Sequence, residues 1–196
     1  MSEEFELETY LSISQTKYEI YLFNTKNLSC LYQKEFKIKN NEDLNFSFLS
    51  QFLENNIFKI EKLVGNFINR IFLILDSNQI NNISICIKKK NYKEKIDYKI
   101  LENILVDAKE IFNENYQNTK IMHIIIERFL ANGNYYSSFK NNIEAEDFCI
   151  EVKFKSLSDK FYSNIDKVLK KYHIEIIQCI DKEYVIDFFK NDSLDF

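Results

Sequence analysis

The chain has 196 residues, 45% of them hydrophobic and 15% aromatic, which excludes a disordered segment and suffices for one large domain or two small, closely packed ones. A formal charge of −4 leaves no global cationic field to collect phosphate backbones, so nucleic acid is not the expected partner. Only 2 Gly and no Pro occur while Lys, Asn, Ile and Phe abound, a bias expected of an AT-rich genome.

Residues 9–23 read as two short strands joined by the polar turn Ser14-Gln15-Thr16-Lys17, and residues 28–38 as a third, together a β-meander. From Asn45 the period changes: Phe46, Leu49, Leu53, Ile57, Ile60 and Val64 form one stripe of a long helix that Gly65 is placed to end. Strands follow at 70–75, almost wholly apolar and so central in a sheet, and at 82–88. A second helix shows its face at Ile100, Ile104, Ala108 and Ile111, with Asp97 as N-cap. Residues 121–129 are strongly β-forming, Asn132-Gly133-Asn134 signals a turn, and 135–139 and 148–154 read as further strands. A third helix, capped by Ser158, carries Phe161, Ile165, Val168 and Tyr172 on one stripe; a strand at 174–180 and a polar tail close the chain.

No complete catalytic constellation accompanies these elements. A phosphate cradle wants a Gly-rich loop, and Gly65 and Gly133 are too few and too far apart to build one. His123 lies inside the apolar run Met122-His123-Ile124-Ile125-Ile126 and reads as a sheet histidine; His173 follows Lys170-Lys171-Tyr172 at a helix end, where imidazole suits the dipole. Glu144, Glu146 and Asp147 sit in a polar stretch between strands and read as solvated. Cys30, Cys86, Cys149 and Cys179 are widely spaced within apolar runs and are expected as reduced, buried small hydrophobes without metal or disulfide. Lys88, Lys89, Lys90, Lys93 and Lys95 read as a solvated turn. The start Met1-Ser2-Glu3-Glu4 is acidic, and no apolar run approaches the roughly 18 residues of a membrane span, so the cytosol is the expected compartment.

Three stretches resemble the N-terminal half of the FtsA family, the actin-like proteins of bacterial cell division, and more loosely the PilM family of type IV pilus proteins. Leu11-Ser12-Ile13-Ser14-Gln15-Thr16-Lys17 resembles the family's opening phosphate loop, Leu-Asp-Ile-Gly-Ser/Thr-Ser/Thr-Lys. Ile60-Glu61-Lys62-Leu63-Val64-Gly65 with the strand Ile71-Phe72-Leu73-Ile74-Leu75 is similar to the family's helix end and following strand. Met122-His123-Ile124-Ile125, Asn132-Gly133 and the run from Asn164 to Ile176 resemble its inserted SHS2 module. The resemblance implies an α/β (α+β) fold: a partial actin/RNase-H-like subdomain at 1–80, an SHS2-type insert at 81–180 and a C-terminal tail at 181–196.

Where the family's loop places a metal-organising Asp and a Gly that admits phosphate, this chain has Ser12 and Ser14, followed by Gln15, Thr16 and Lys17. A hydroxyl cannot organise Mg²⁺ as a carboxylate does, and a Cβ at Ser14 hinders close backbone approach. The loop therefore reads as degenerate, with no catalytic residue, cofactor or metal, and the chain as no enzyme. The resemblance implies a scaffold or adaptor, cytoplasmic and at the division site, working through its SHS2-like module. Its implied partners are an FtsA-like chain, FtsZ, the cytoplasmic tail of a membrane division protein or a second copy, without nucleic acid or a membrane anchor of its own. The alternatives are a PilM-like pilus-assembly adaptor, a degenerate ATP-binding or RNase-H-like enzyme, and an N-terminal piece of a longer gene.

Overall fold

The structure, a computed structural model, describes residues 7–38, 45–76, 78–91 and 95–185. They fall into two compact units, Met1–Gln79 with Lys160–Phe196, and Ile80–Asp159. The first unit opens with β1 (Leu7–Ser14), β2 (Lys17–Asn24), β3 (Ser29–Lys37), α1 (Phe46–Val64) and β4 (Arg70–Asp76). The second comprises β5 (Asn81–Lys90), β6 (Lys95–Ile96), α2 (Tyr98–Asn115), β7 (Thr119–Ala131), β8 (Asn134–Tyr136), β9 (Ile143–Glu144) and β10 (Asp147–Ser158). The chain returns to the first unit as α3 (Asp159–Lys170) and β11 (Glu175–Asp181).

The first unit is a five-stranded sheet in the order β11-β4-β1-β2-β3. Its first three strands form the expected antiparallel meander, and β1, β4 and β11 run parallel. Alternation sends Leu11, Ile13, Tyr18, Ile20 and Leu22 to one face, where all are buried, and Tyr18 packs on Phe52 of α1 with ring centroids 6.1 Å apart. Helix α1 starts where Asn45 accepts hydrogen bonds from the Ser47 and Phe48 amides. Its buried stripe is Leu49, Phe52, Leu53, Asn56, Ile57 and Ile60, while the expected end members Phe46 and Val64 are only half-buried. Asn56, polar and buried, donates to the Phe52 carbonyl at 2.6 Å and accepts from Tyr32 Oη at 2.7 Å, tying α1 to β3.

Gly65 ends α1 in the left-handed region at φ 74°, its N–H donating to the Glu61 carbonyl. A Cβ there would meet nothing within 4 Å, so Gly65→Ala should cost only the conformational strain, about 1–2 kcal/mol. A lowered urea midpoint at unchanged m-value is the result that checks this.

The insert ends earlier than the sequence suggests. Residues expected to close it at 180 instead belong to the first unit, because β11 pairs in parallel with β4, from Glu175 opposite Arg70 to Asp181 opposite Leu75. Helix α3 follows β10 directly, with Ser158 as the last strand residue, and packs on α1 through Phe161 against Phe46; in the turn after it, Tyr172 Oη donates to the Ser50 carbonyl. Its buried residues are Ile165, Val168 and Leu169, with Phe161 and Tyr172 at the half-buried margin. Of the expected tail, Asp181 closes β11 and 182–185 form a helical turn; the rest lies outside the described residues, as do the acidic start and Lys93.

In the second unit the antiparallel sheet β5-β10-β7-β8 lays Ile150, Val152, Phe154 and Phe129 against α2. Asp97 caps α2 as expected, accepting from the Ile100 amide at 2.9 Å. The buried face is Leu101, Ile104, Ala108 and Phe112, and Ile111 is 41% exposed, so the face is rotated from the expected one. The cause is aromatic: Phe112 stacks on Phe154 with centroids 4.7 Å apart, both fully buried. Asn132 and Gly133, at φ 49° and 75°, make the turn from β7 into β8, which is three residues long rather than five. The two-residue strands β6 and β9 pair with each other, a feature too short for hydrophobic periodicity to reveal.

Candidate functional site

The β1–β2 turn lies at the end of the first-unit sheet where the parallel strands β1, β4 and β11 finish. In open α/β sheets ligands bind outside the carboxyl ends of the strands. Ser14 stands opposite Asp76, and Leu75 opposite Asp181, so three strand ends bring Ser14, Asp76 and Asp181 to one edge.

Ser14 is 5% exposed, and its hydroxyl is the centre of the turn. Ser14 Oγ accepts from the amides of Thr16 at 3.3 Å and Lys17 at 3.0 Å and donates to the Lys17 carbonyl at 3.0 Å. This is the local serine turn that competes with other uses of the same amides. Two N–H groups that could face an anion are therefore engaged within the loop. The Thr16 carbonyl accepts from the Ile38 amide at 2.8 Å, fastening the end of β3 beneath the turn. Gln15 and Thr16 are exposed.

Ser12 is 5% exposed and sits directly opposite Glu19 on β2, itself 6% exposed. A buried carboxylate thus lies beside the place where the resemblance expects one, but it comes from the neighbouring strand. Lys17 Nζ meets Glu19 at 2.7 Å and Glu35 at 3.8 Å, and Tyr21 is hydrogen-bonded to Glu19. Burial, then that carboxylate, push the Tyr21 phenol well above its ordinary range. The one lysine of the loop is thereby committed to acids of its own sheet. At the adjoining edge Lys182 Nζ pairs with Asp76 at 2.9 Å, and Asp181 accepts from the Glu183 amide.

The structure thus gathers Ser12, Ser14, Thr16 and Lys17 and adds Glu19, Glu35, Asp76, Asp181 and Lys182. Glu19 was legible in principle, since alternation in a two-residue hairpin puts it opposite Ser12. Asp76 and Asp181 arrive by parallel pairing across long stretches of chain, which no local pattern carries. Among the described residues no group of three His, Cys, Asp or Glu is placed to hold a metal ion.

The remaining candidates lie elsewhere. His123 is half-buried on β7 opposite Lys155, and His173 is exposed beyond α3 at φ 59°. Glu144, Glu146 and Asp147 line an open hollow with Lys90 and the Asn132-Gly133 turn, and the first two carboxylates are exposed. The cysteines depart from expectation: all are free thiols, but only Cys179 is buried; Cys149 is half-buried, and Cys30 and Cys86 are exposed. Cys30 lies on the edge strand β3, and Cys86 alternates out of phase with Ile83, Ile85 and Ile87, which point to the core.

No family model matches the sequence, and no curated protein does. Among solved structures the chain is similar to one of the PilM-PilN type IV pilus biogenesis complex, at 8% identity and a TM-score of 0.57, over 90% of this chain and 48% of that one. The cytoplasmic domain of EpsL, an inner-membrane component of the type II secretion system of Vibrio cholerae, gives 9%, 0.42, 90% and 56% for the same measures. A protein of actin-like ATPase fold and unknown function from Bacteroides thetaiotaomicron gives 15%, 0.41, 98% and 58%. The fold is mixed α/β, shared with that PilM-PilN chain. Of these three, the PilM-PilN superposition is the one close enough to bear on it, and at that identity it speaks to fold alone. The chain spans about half the length of the PilM-PilN chain it matches. Among the described residues no helix is long and apolar enough to cross a membrane.

Proposed function

We propose that the chain is a non-catalytic, actin-like adaptor that binds a partner protein of a type IV pilus-like assembly system. The observation that carries this reading is the β1–β2 turn: Ser14 engages the Thr16 and Lys17 amides, and Glu19 and Glu35 engage the Lys17 ammonium. A phosphate would have to displace all of these partners to use the groups that a nucleotide loop offers. The loop is in this reading a closed structural turn, and the protein acts through its surfaces.

The PilM-PilN likeness over 90% of the chain supports the class of partner, because that structure is a complex of two assembly proteins. The cell-division reading, with FtsZ, an FtsA-like chain or a membrane division protein's tail as partner, is supported by the short sequence motifs alone and is the second reading. Either places the chain at the cytoplasmic side of a membrane machine.

Calorimetry of the whole chain with MgATP is expected to give no saturable heat; saturable, Mg²⁺-dependent binding would overturn the adaptor reading. Affinity capture of a tagged chain from its own cells, with mass spectrometry, is expected to recover a pilus-assembly protein. Recovery of FtsZ or another division protein instead would move the assignment to the second reading.

A further inference from the structure

The exposed face of the second-unit sheet carries a pair of thiols that neither the loop nor the partner reading uses. In the β5–β10 register Cys86 is opposite Glu151 and Cys149 opposite Lys88, so the two cysteines are diagonal neighbours pointing to the same side. Each thiol is within the other's electrostatic reach across the strand pair. Cys86 is exposed and Cys149 half-buried, which leaves the pair open to a solute.

We propose that Cys86 and Cys149 form a two-thiolate site for a soft closed-shell cation, of which Cu(I) is the representative. Diagonal positions on paired strands are about 7–8 Å apart, beyond the roughly 4.4–6.8 Å between Cα atoms that a disulfide needs. A shared ion relaxes that demand: metal–sulfur bonds of about 2.3 Å let two sulfurs stand up to ~4.6 Å apart. Thiolates select soft ions such as Cu(I). Zinc wants four ligands, and among the described residues no third Cys, His or carboxylate is placed to join.

Binding expels one proton from each thiol and leaves two thiolates on one monovalent ion, a site of net charge −1. Lys88 stands directly opposite Cys149 and is shared with Asp147 at 3.9 Å, while Glu151 opposes the negative charge and is itself paired with Arg128 at 3.3 Å.

The test uses the full reduced chain carrying Cys30→Ser, which removes the other exposed thiol, titrated with Cu(I) against a chromophoric Cu(I) chelator without oxygen. One equivalent is expected to bind. Adding Cys86→Ser or Cys149→Ser should each weaken binding by more than about 100-fold, beyond the loss of an outer-shell partner. In the unaltered chain, equimolar Cu(I) should protect Cys86 and Cys149 together from alkylation, a readout that needs no variant to fold. Failure of the chain to compete with the chelator, equal binding after either substitution, or continued alkylation of either thiol would overturn the proposal.

Discussion

Replacing Phe112 or Phe154 by Ala is expected to cost roughly 3–5 kcal/mol each, a large share of the about 5–15 kcal/mol by which an ordinary domain is stable. Both side chains are fully buried, and their rings stack at 4.7 Å between the helix and the central strand β10. Removing one ring leaves a cavity whose other wall is the second ring, so the two losses are not additive. The Phe112→Ala/Phe154→Ala double variant should fall short of the sum by about 0.5–1.5 kcal/mol, the part that belongs to the pair. Ile111→Ala, next in sequence but 41% exposed, should stay within about 0.5 kcal/mol of the parent. Urea unfolding of the parent and the four variants decides the matter. A large loss at Ile111 with a small one at Phe112 would mean that α2 turns its other face to the sheet.

That contrast marks where the sequence stops being legible. In α2, Ile104 and Ala108 are on the face that period 3.6 assigns, but Ile111 and Phe112 are adjacent apolar residues, and either fits a stripe within the tolerance of the pattern. Packing chooses between them, because the larger ring fills the space over Phe154. Helix α1 was read more closely, since the change of period at Asn45 and the stop at Gly65 are local signals whose chemistry does not depend on the rest of the chain. Cys86 could have been placed correctly: Ile83, Ile85 and Ile87 alternate inward, so period 2 puts Cys86 outside with Ser84 and Lys88, whatever its usual preference for burial. The end of the insert was beyond reach, because only the parallel pairing of β11 with β4 assigns it. The same is true of the strand-end cluster. Ser12 and Ser14 are visible as departures from a motif, but the groups that respond to them, Glu19, Glu35, Asp76 and Lys182, belong to three other strands and the helical turn after β11.

Ser14→Ala is expected to destabilise the chain by about 1–3 kcal/mol while leaving it unable to bind MgATP. The hydroxyl is buried and serves two amides and one carbonyl, so its removal strands three backbone groups at once. Their partial access to water through the exposed Gln15 and Thr16 keeps the cost toward the lower end of that range. Ser14→Thr retains the oxygen on a side chain suited to a strand and should recover most of the loss. Ser14→Gly is the discriminating variant, because it removes both the Cβ and the competing hydroxyl and so restores what a phosphate loop requires at this position. If Ser14 alone closed the site, the glycine chain would gain saturable MgATP binding in calorimetry. The expected result is no gain, since Lys17 stays paired with Glu19 and Glu35 and Ser12 still offers no carboxylate for a metal. The loop is then shut by several residues together, so reopening it takes the release of Lys17 as well as a glycine. A triple change, Ser14→Gly with Glu19→Gln and Glu35→Gln, separates the two barriers: binding that appears only in this chain would assign the closure to the ion pairs as well as to the hydroxyl.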